Sequence, residues 1–280
     1  MNKLFQIGDF VFRLDYPDEI TPPPNFMLFE TEKKQPQYCY HIKISETFPK
    51  LKGDIVARRP DLIVFQNHGK ESRLIGVKGT PGYYACYREV SNNQAEILLA
   101  PDRLAGLNID PVFTSLLALE RRLVEQNNMV LHCAYVEYRS KAILFSAPSE
   151  TGKTTQANLW EKYRNSRTIN GDRALLGKIN NQWMAQGWPV CGTSEVCNNE
   201  ATPIQAIVML SQGKENQARQ LKPSEAFGLL YSQITINGWN KESTASALDL
   251  IEKLIVEIPI YHLSCTISEE AVECLEKILK

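Results

Sequence analysis

Short apolar runs open the chain: FVFRLDY, YCYHIKI, DLIVF, RLIGVK, YYACYREV and AEILLA, separated by turn-rich pieces such as TPPPN and GTPGY. Runs rich in β-branched and aromatic residues, bounded by Gly and Pro, predict strands. This part therefore reads as a small, mainly antiparallel β domain, with TPPPN as a rigid turn. At PVFTSLLALERRLVEQNN the period changes, because Phe113, Leu116, Leu117, Leu119 and Leu123 recur at helical spacing. A continuous helix is expected there, opening a second domain over residues 109–280 after a β-rich domain over 1–108.

Two strand-like runs follow, MVLHCAYVEY and KAILFSA, joined by a polar turn at Arg139 and Ser140. The chain then enters a helix from Lys153 to Tyr163, with Ala157, Trp160 and Tyr163 on one face. Farther along, AIVML predicts a buried strand and KPSEAFGLLYSQI a helix with Ser224 at its N-cap. STASALDLIEKLIVEI is an amphipathic helix, IYHLSC a strand and EEAVECLEKILK a closing helix. The second domain is thus α/β.

The junction FSAPSETGKTT lies between strand and helix, where a phosphate loop belongs. The pattern G-x-x-x-x-G-K-[ST] is met at Gly152, Lys153 and Thr154, with Ala147 in the first glycine position. Such a loop binds anions because backbone N–H groups and a helix N-terminus converge on one spot. Lys153 adds a charge and Thr154 a hydroxyl for Mg²⁺. The alternative is that Gly152 caps a turn before an ordinary helix. Transfer of a phosphoryl group also needs an acid or base beside the acceptor, and RTINGDRALLGKI supplies Asp172. Asp172 reads equally as a turn residue between strands, and His132 as a half-buried strand histidine. GWPVCGTSEVCNN, rich in small residues, suits a loop bordering a pocket or a plain surface connection.

Charge and composition narrow the partners. Lys plus Arg number 31 and Asp plus Glu 32, so no long-range field favours nucleic acid or an anionic membrane. No apolar run approaches the roughly 18 residues of a membrane helix, and MNKLFQIGDF lacks a signal-peptide core. A cytoplasmic protein is expected. The seven cysteines include no C-x-x-C pair and only four histidines accompany them, which argues against a zinc site and a disulfide framework.

LHCAYVEYRSKAILFSAPSETGKTT followed by TINGDRALL resembles the core of the HPr serine kinase/phosphorylase family, itself related to the phosphoenolpyruvate carboxykinases. The likeness spans roughly residues 115–235 and points to a divergent branch, some of which accompanies systems that modify ribosomally made peptides. It implies an HPr-kinase/PEP-carboxykinase-like P-loop domain. It also implies an ATP- and Mg²⁺-dependent kinase acting on a hydroxyl, foremost serine of a peptide, protein or small molecule. By this resemblance Ser149, Glu150, Thr151, Gly152, Lys153, Thr154 and Thr155 hold the nucleotide, and Thr154, Asp172 and Glu195 the metal. Asp172 matches the base, His132 the histidine near the transferred phosphate and Arg219, loosely, a charge-stabilising arginine. The β-rich domain would recognise the acceptor or mediate homo-oligomeric assembly. Ala147 and Glu150 stand in place of glycines, and Gly171 in place of the first aspartate of the family's Asp-Asp pair. These departures leave a rival reading, a catalytically degenerate nucleotide- or partner-binding module.

Overall fold

A computed structural model describes residues 1–33 and 35–279. The chain divides into two compact units, Met1–Leu119 and Glu120–Lys280.

The first unit is built on one eight-stranded sheet. Its strands are β1 (Asn2–Ile7), β2 (Phe10–Asp15), β3 (Tyr38–Ile44), β4 (Asp54–Arg59), β5 (Leu62–Asn67), β6 (Lys70–Ile75), β7 (Ala85–Ser91) and β8 (Gln94–Leu99). The order is β1-β2-β3-β8-β7-β6-β5-β4, with β2–β3 and β3–β8 parallel and the other pairs antiparallel. β1 and β4 add to the strands expected from the sequence; β4 is largely exposed and lies at the edge of the sheet. An aromatic cluster lines the core, with Phe5, Phe12 and Phe26 fully buried and the Phe5 and Phe26 rings 4.7 Å apart. Helix α1 (Pro24–Met27) and a 3₁₀ segment, Pro101–Asn108, lie outside the sheet.

The expected long helix is broken. Helix α2 (Asp110–Ser115) ends before a turn at Leu116–Ala118, and α3 (Leu119–Glu125) starts afresh. Leu116, Leu117, Ala118 and Leu119 are all at most 1% exposed. Four consecutive helical residues, each about 100° on from the last, sweep most of the circumference and cannot all face one core. The break, with Ala118 at φ 47°, lets all of them be buried. Helix α2 belongs with the first unit: Phe113 packs 4.8 Å from Phe26, and the Tyr84 hydroxyl donates to the Val112 carbonyl at 2.8 Å.

The second unit contains β9 (Met129–Tyr138), β10 (Lys141–Ser146), α4 (Lys153–Arg164), β11 (Arg167–Asn170), β12 (Arg173–Ile179) and β13 (Gln182–Gln186). It continues through β14 (Ala201–Gln212), β15 (Gln217–Gln220), α5 (Pro223–Tyr231), α6 (Lys241–Glu257), β16 (Ile260–Cys265) and α7 (Glu269–Glu276). The sheet order is β10-β9-β12-β13-β14-β16-β15, with β10 also pairing in parallel with β14, and β11 antiparallel with β9. Arg139 and Ser140, at φ 50° and 61°, form the two-residue hairpin between β9 and β10; positive φ at both positions matches the strand twist.

Strands β9, β10 and β14 are covered on both faces, which is why they read as continuous apolar runs. One cluster joins Leu131, Cys133 and Tyr135 of β9 to Ala226 and Leu230 of α5 and Leu250, Ile251 and Leu254 of α6. The other joins Ala134 and Val136 of β9 to Ala157 and Trp160 of α4 and Val272 and Leu275 of α7. Ser224 is not the cap of α5. Lys222 takes that place, Pro223 occupies the first turn where no N–H is needed, and the Glu225 carboxylate accepts from the Lys222 N–H at 3.0 Å. The closing helix ends at Glu276; Lys280 lies outside the described residues.

All seven cysteines are free thiols. Among the described residues no helix is long and apolar enough to cross a membrane.

Trp160 is fully buried, with its ring 5.2 Å from Tyr138 and 6.1 Å from Phe145. Trp160→Ala should lower unfolding free energy by about 3–5 kcal/mol in urea titrations, because the helix leaves a cavity over the sheet.

Candidate active site

β10 is paired on both edges, so the chain leaves the sheet only at its end, Ser146. The loop 147–152 runs from there into α4. Ala147 is 1% exposed and packs in the same cluster as Phe145 and Trp160. It stands outside the positive-φ residues, so no glycine is required there. Glu150 and Gly152 carry the left-handed conformation instead, at φ 65° and 119°. Glu150 is exposed, and holding a side chain in that conformation costs about 1–2 kcal/mol.

Lys153 opens α4 and folds back: its Nζ donates to the carbonyls of Ala147 at 3.0 Å and Pro148 at 3.2 Å. Burial holds its ammonium below the ordinary value of 10.5, against the opposing pull of the Asp172 carboxylate. The ammonium thus stiffens the loop while remaining next to its mouth.

His132 sits where β9 changes partner. Residues up to His132 pair with β12, and those from Cys133 onward pair with β10. The Ser146 hydroxyl donates to the His132 carbonyl at 2.8 Å, tying the end of β10 to this point. Asp172 lies in the turn between β11 and β12, and its carbonyl accepts from the Cys133 N–H at 3.0 Å. Its Oδ1 is 3.4 Å from His132 Nε2, and its Oδ2 accepts from Arg173 Nε at 3.0 Å. On the other side of the imidazole, Nδ1 is 3.3 Å from Gln233 Oε1. Burial pushes the Asp172 carboxyl upward, but the His132 hydrogen bond and the Arg173 charge outweigh it and hold it below its ordinary 3.8. Asp172 is therefore ionised at neutral pH.

These groups share one cavity of about 430 Å³. Its lining comprises His132, Ser149, Glu150, Gly152–Thr155, Gly171, Asp172, Gly192 and Thr193. Thr151 and Glu195 were expected from the sequence and are not part of that lining. Glu195 is exposed, at φ 57°. Arg219, on β15, spends its guanidinium in a two-pronged bond to Glu225 at 2.8 and 3.0 Å. Among the described residues, no group of three or more His, Cys, Asp or Glu side chains could hold a metal ion. A cation here would need other oxygen donors besides Asp172, such as the Thr154 hydroxyl and a ligand's own oxygens.

The cavity also explains Gly171. A Cβ there would lie 2.0 Å from Ser194 Oγ and 2.3 Å from Ser194 Cβ, so Ser194 fills the space that a second aspartate would need. Gly192, at φ 60°, lies against Asp172; a Cβ would meet its carboxyl carbon at 3.2 Å. Gly192 and Thr193 bring the stretch GWPVCGTSEVCNN to the cavity edge.

The fold and its site thus define a mixed α/β unit in which a glycine–lysine–threonine helix start shares a cavity with an ionised carboxylate. Residues 102–280 match the family model described as SynChlorMet cassette protein ScmC, and the chain belongs to that family. The family shown is ScmC, whereas the motif resembles the HPr kinases. No curated protein matches the chain. Among solved structures it is similar to that of the Hpr(Ser) kinase/phosphatase from Coxiella burnetii, at 13% identity and a TM-score of 0.26. That match covers 46% of this chain and 92% of the other.

Gly171→Ala should destabilise the protein by about 1–3 kcal/mol through overpacking, and adding Ser194→Gly should recover most of the loss; urea midpoints of the single and double variants measure the coupling. A carboxyl with a lowered folded pKa contributes stability above its unfolded value and loses it as pH falls through the folded value. The stability difference between wild type and Asp172→Asn should therefore be constant at neutral pH and shrink as pH falls below 3.8, read from urea midpoints across pH.

Proposed function

We propose that this chain is a phosphotransferase that uses ATP and Mg²⁺ to phosphorylate a hydroxyl, foremost serine of a peptide or protein or the hydroxyl of a small molecule. The observation that carries this reading is the convergence of Lys153 and Thr154 with Asp172 and His132 on one cavity, although they come from separate elements.

The residues present fit a phosphate chain. The N-terminus of the 12-residue helix α4 opens into the cavity, and its first N–H groups have no partner within the helix. The volume lies within the roughly 300–1,000 Å³ of small-molecule sites. Lys153 would trade its loop carbonyls for phosphate oxygens, which offer a full opposing charge. Mg²⁺, when bound, would neutralise charge on the phosphates, held by the Thr154 hydroxyl and the Asp172 carboxylate. Asp172, ionised at neutral pH, orients the acceptor hydroxyl and takes its proton as that oxygen becomes bonded to the γ-phosphorus of ATP, while the bond from that phosphorus to the β–γ bridging oxygen breaks and ADP leaves. Its lowered pKa makes it a weak base, so orientation is its larger contribution. His132 fixes the carboxylate through Oδ1 and stays beside the transferred group. The β-rich unit is assigned to acceptor recognition or assembly.

One observation favours the rival reading, a binding module without turnover: Ser194 occupies the place of a second carboxylate, so a single Asp172 must serve both metal and acceptor. Titration of Mg²⁺-ATP and measurement of its turnover separate the two. Lys153→Ala should weaken binding more than tenfold, since a charged contact contributes about 1.5–3 kcal/mol. Asp172→Asn should keep most of the binding and lose turnover. Equal, negligible turnover in wild type and Asp172→Asn, with binding retained, would favour the nucleotide-binding module instead, and absence of binding in folded wild type would sink both nucleotide readings and leave the partner-binding module.

A further inference from the structure

Asn170 is fully buried at the end of β11, two residues before Asp172. Every hydrogen-bonding position of its side-chain amide is used. Oδ1 accepts from the backbone N–H groups of Asp172 and Arg173, both at 2.9 Å. Nδ2 donates to the carbonyls of Trp188 at 2.8 Å and Val190 at 3.2 Å. Two donors face one atom and two acceptors the other, so only this orientation of the amide satisfies all four. A buried group of this kind is costly if half paired and rigid if fully paired.

The partners are the two segments that border the cavity on the Asp172 side. One is the Gly171–Asp172 turn; the other leads from Trp188 and Val190 directly to Gly192 and Thr193. A Cβ on Gly192 would approach Asp172 Oδ1 to 3.2 Å, so their spacing is tight. The four bonds of the Asn170 side chain go to Asp172, Arg173, Trp188 and Val190, and not to the loop 149–155, where the nucleotide would be held.

We propose that Asn170 is a positioning residue: it sets the separation between Asp172 and the Gly192–Thr193 segment, and so where the acceptor oxygen rests relative to the phosphate. This rests on the phosphotransferase reading. Small displacements of an oriented reactant are expensive, on the order of 10²-fold in rate for about 1 Å.

The test uses the full-length chain with Mg²⁺-ATP as probe and water as acceptor, comparing wild type, Asn170→Ala, Asn170→Asp and Asp172→Asn. Asn170→Ala removes both the oxygen and the nitrogen; Asn170→Asp keeps an oxygen for the Asp172 and Arg173 N–H groups and loses the donors to Trp188 and Val190. Both should lower the urea midpoint. Asn170→Ala should lower kcat by on the order of 10²-fold at unchanged KM for ATP, and Asn170→Asp should recover at least tenfold of that loss without recovering stability. Turnover that follows the urea midpoint equally in both variants, or a KM that rises with unchanged kcat, would overturn the assignment to Asn170 alone. Wild-type turnover no greater than that of Asp172→Asn would overturn the Asn170 role, and failure of Mg²⁺-ATP to bind folded wild type would overturn the phosphotransferase reading with it. Should Asn170→Ala fail to fold, Asn170→Asp against wild type still decides: kcat within tenfold of wild type at a reduced midpoint supports positioning through the oxygen, and a larger loss refutes it.

Discussion

The burial of β10 is the constraint on which the second unit depends. Both of its edges are hydrogen-bonded, to β9 and β14, and both faces are covered, by α4 and α7 on one side and by the α5–α6 layer on the other. A strand so enclosed cannot shift by one residue without turning Phe145 and Leu144 to the wrong faces. Its end is therefore a fixed point, and the loop that follows inherits that precision. The antiparallel neighbour passes the same point in the opposite direction, which is why His132 lies beside a loop that begins at residue 147. The Ser146–His132 bond closes the arrangement.

The electrostatics of the cavity follow from partial burial. Lys153 and Asp172 are each removed from water far enough for their partners to matter, and their values move in the same direction for different reasons. Burial lowers the lysine, while for the carboxyl the upward push of burial is overcome by His132 and Arg173. The result is an ammonium folded onto loop carbonyls and a carboxylate held by donors on both oxygens. Both charges are held by neighbouring groups of the protein itself.

The departures from the phosphate-loop and paired-aspartate patterns divide into those the geometry absorbs and one it enforces. Ala147 is absorbed because the backbone there is ordinary and the methyl group enters the core. Glu150 is absorbed at the cost of a left-handed conformation on an exposed residue. Gly171 is enforced: Ser194 occupies the volume, and its hydroxyl bonds to the Cys191 carbonyl at 2.7 Å, so the loop cannot yield without losing that bond. The single-carboxylate site is built into the packing of the 188–196 loop.

Local sequence determined a good deal. Runs rich in β-branched and aromatic residues between turn-forming pieces marked most strands of the first unit, and the continuous runs MVLHCAYVEY and KAILFSA marked the paired central strands, because burial on two faces leaves a composition that needs no context to read. Lys153, Thr154 and the start of α4 were legible from spacing, since a glycine–lysine–threonine helix start is a local object. β4 was missed because its three apolar residues stand between Asp54 and the Arg58–Arg59 pair, too short a run to read as a strand, and the break at Leu116–Ala118 because helical spacing does not reveal that the intervening positions are also buried. Asn170 and Arg173 were invisible as site residues; the Asn-Gly pair signals a turn, but nothing local says that the amide reaches Trp188 and Val190. Which carboxylates enter the cavity was likewise a tertiary decision: Asp172 does, because the β11–β12 turn docks on β9, and Glu195 does not line it, because its side chain is exposed although Gly192 and Thr193 of the same loop reach the cavity. Spacing along the chain specifies contacts within one element, whereas the cavity is assembled from segments whose proximity exists only once the sheet has closed.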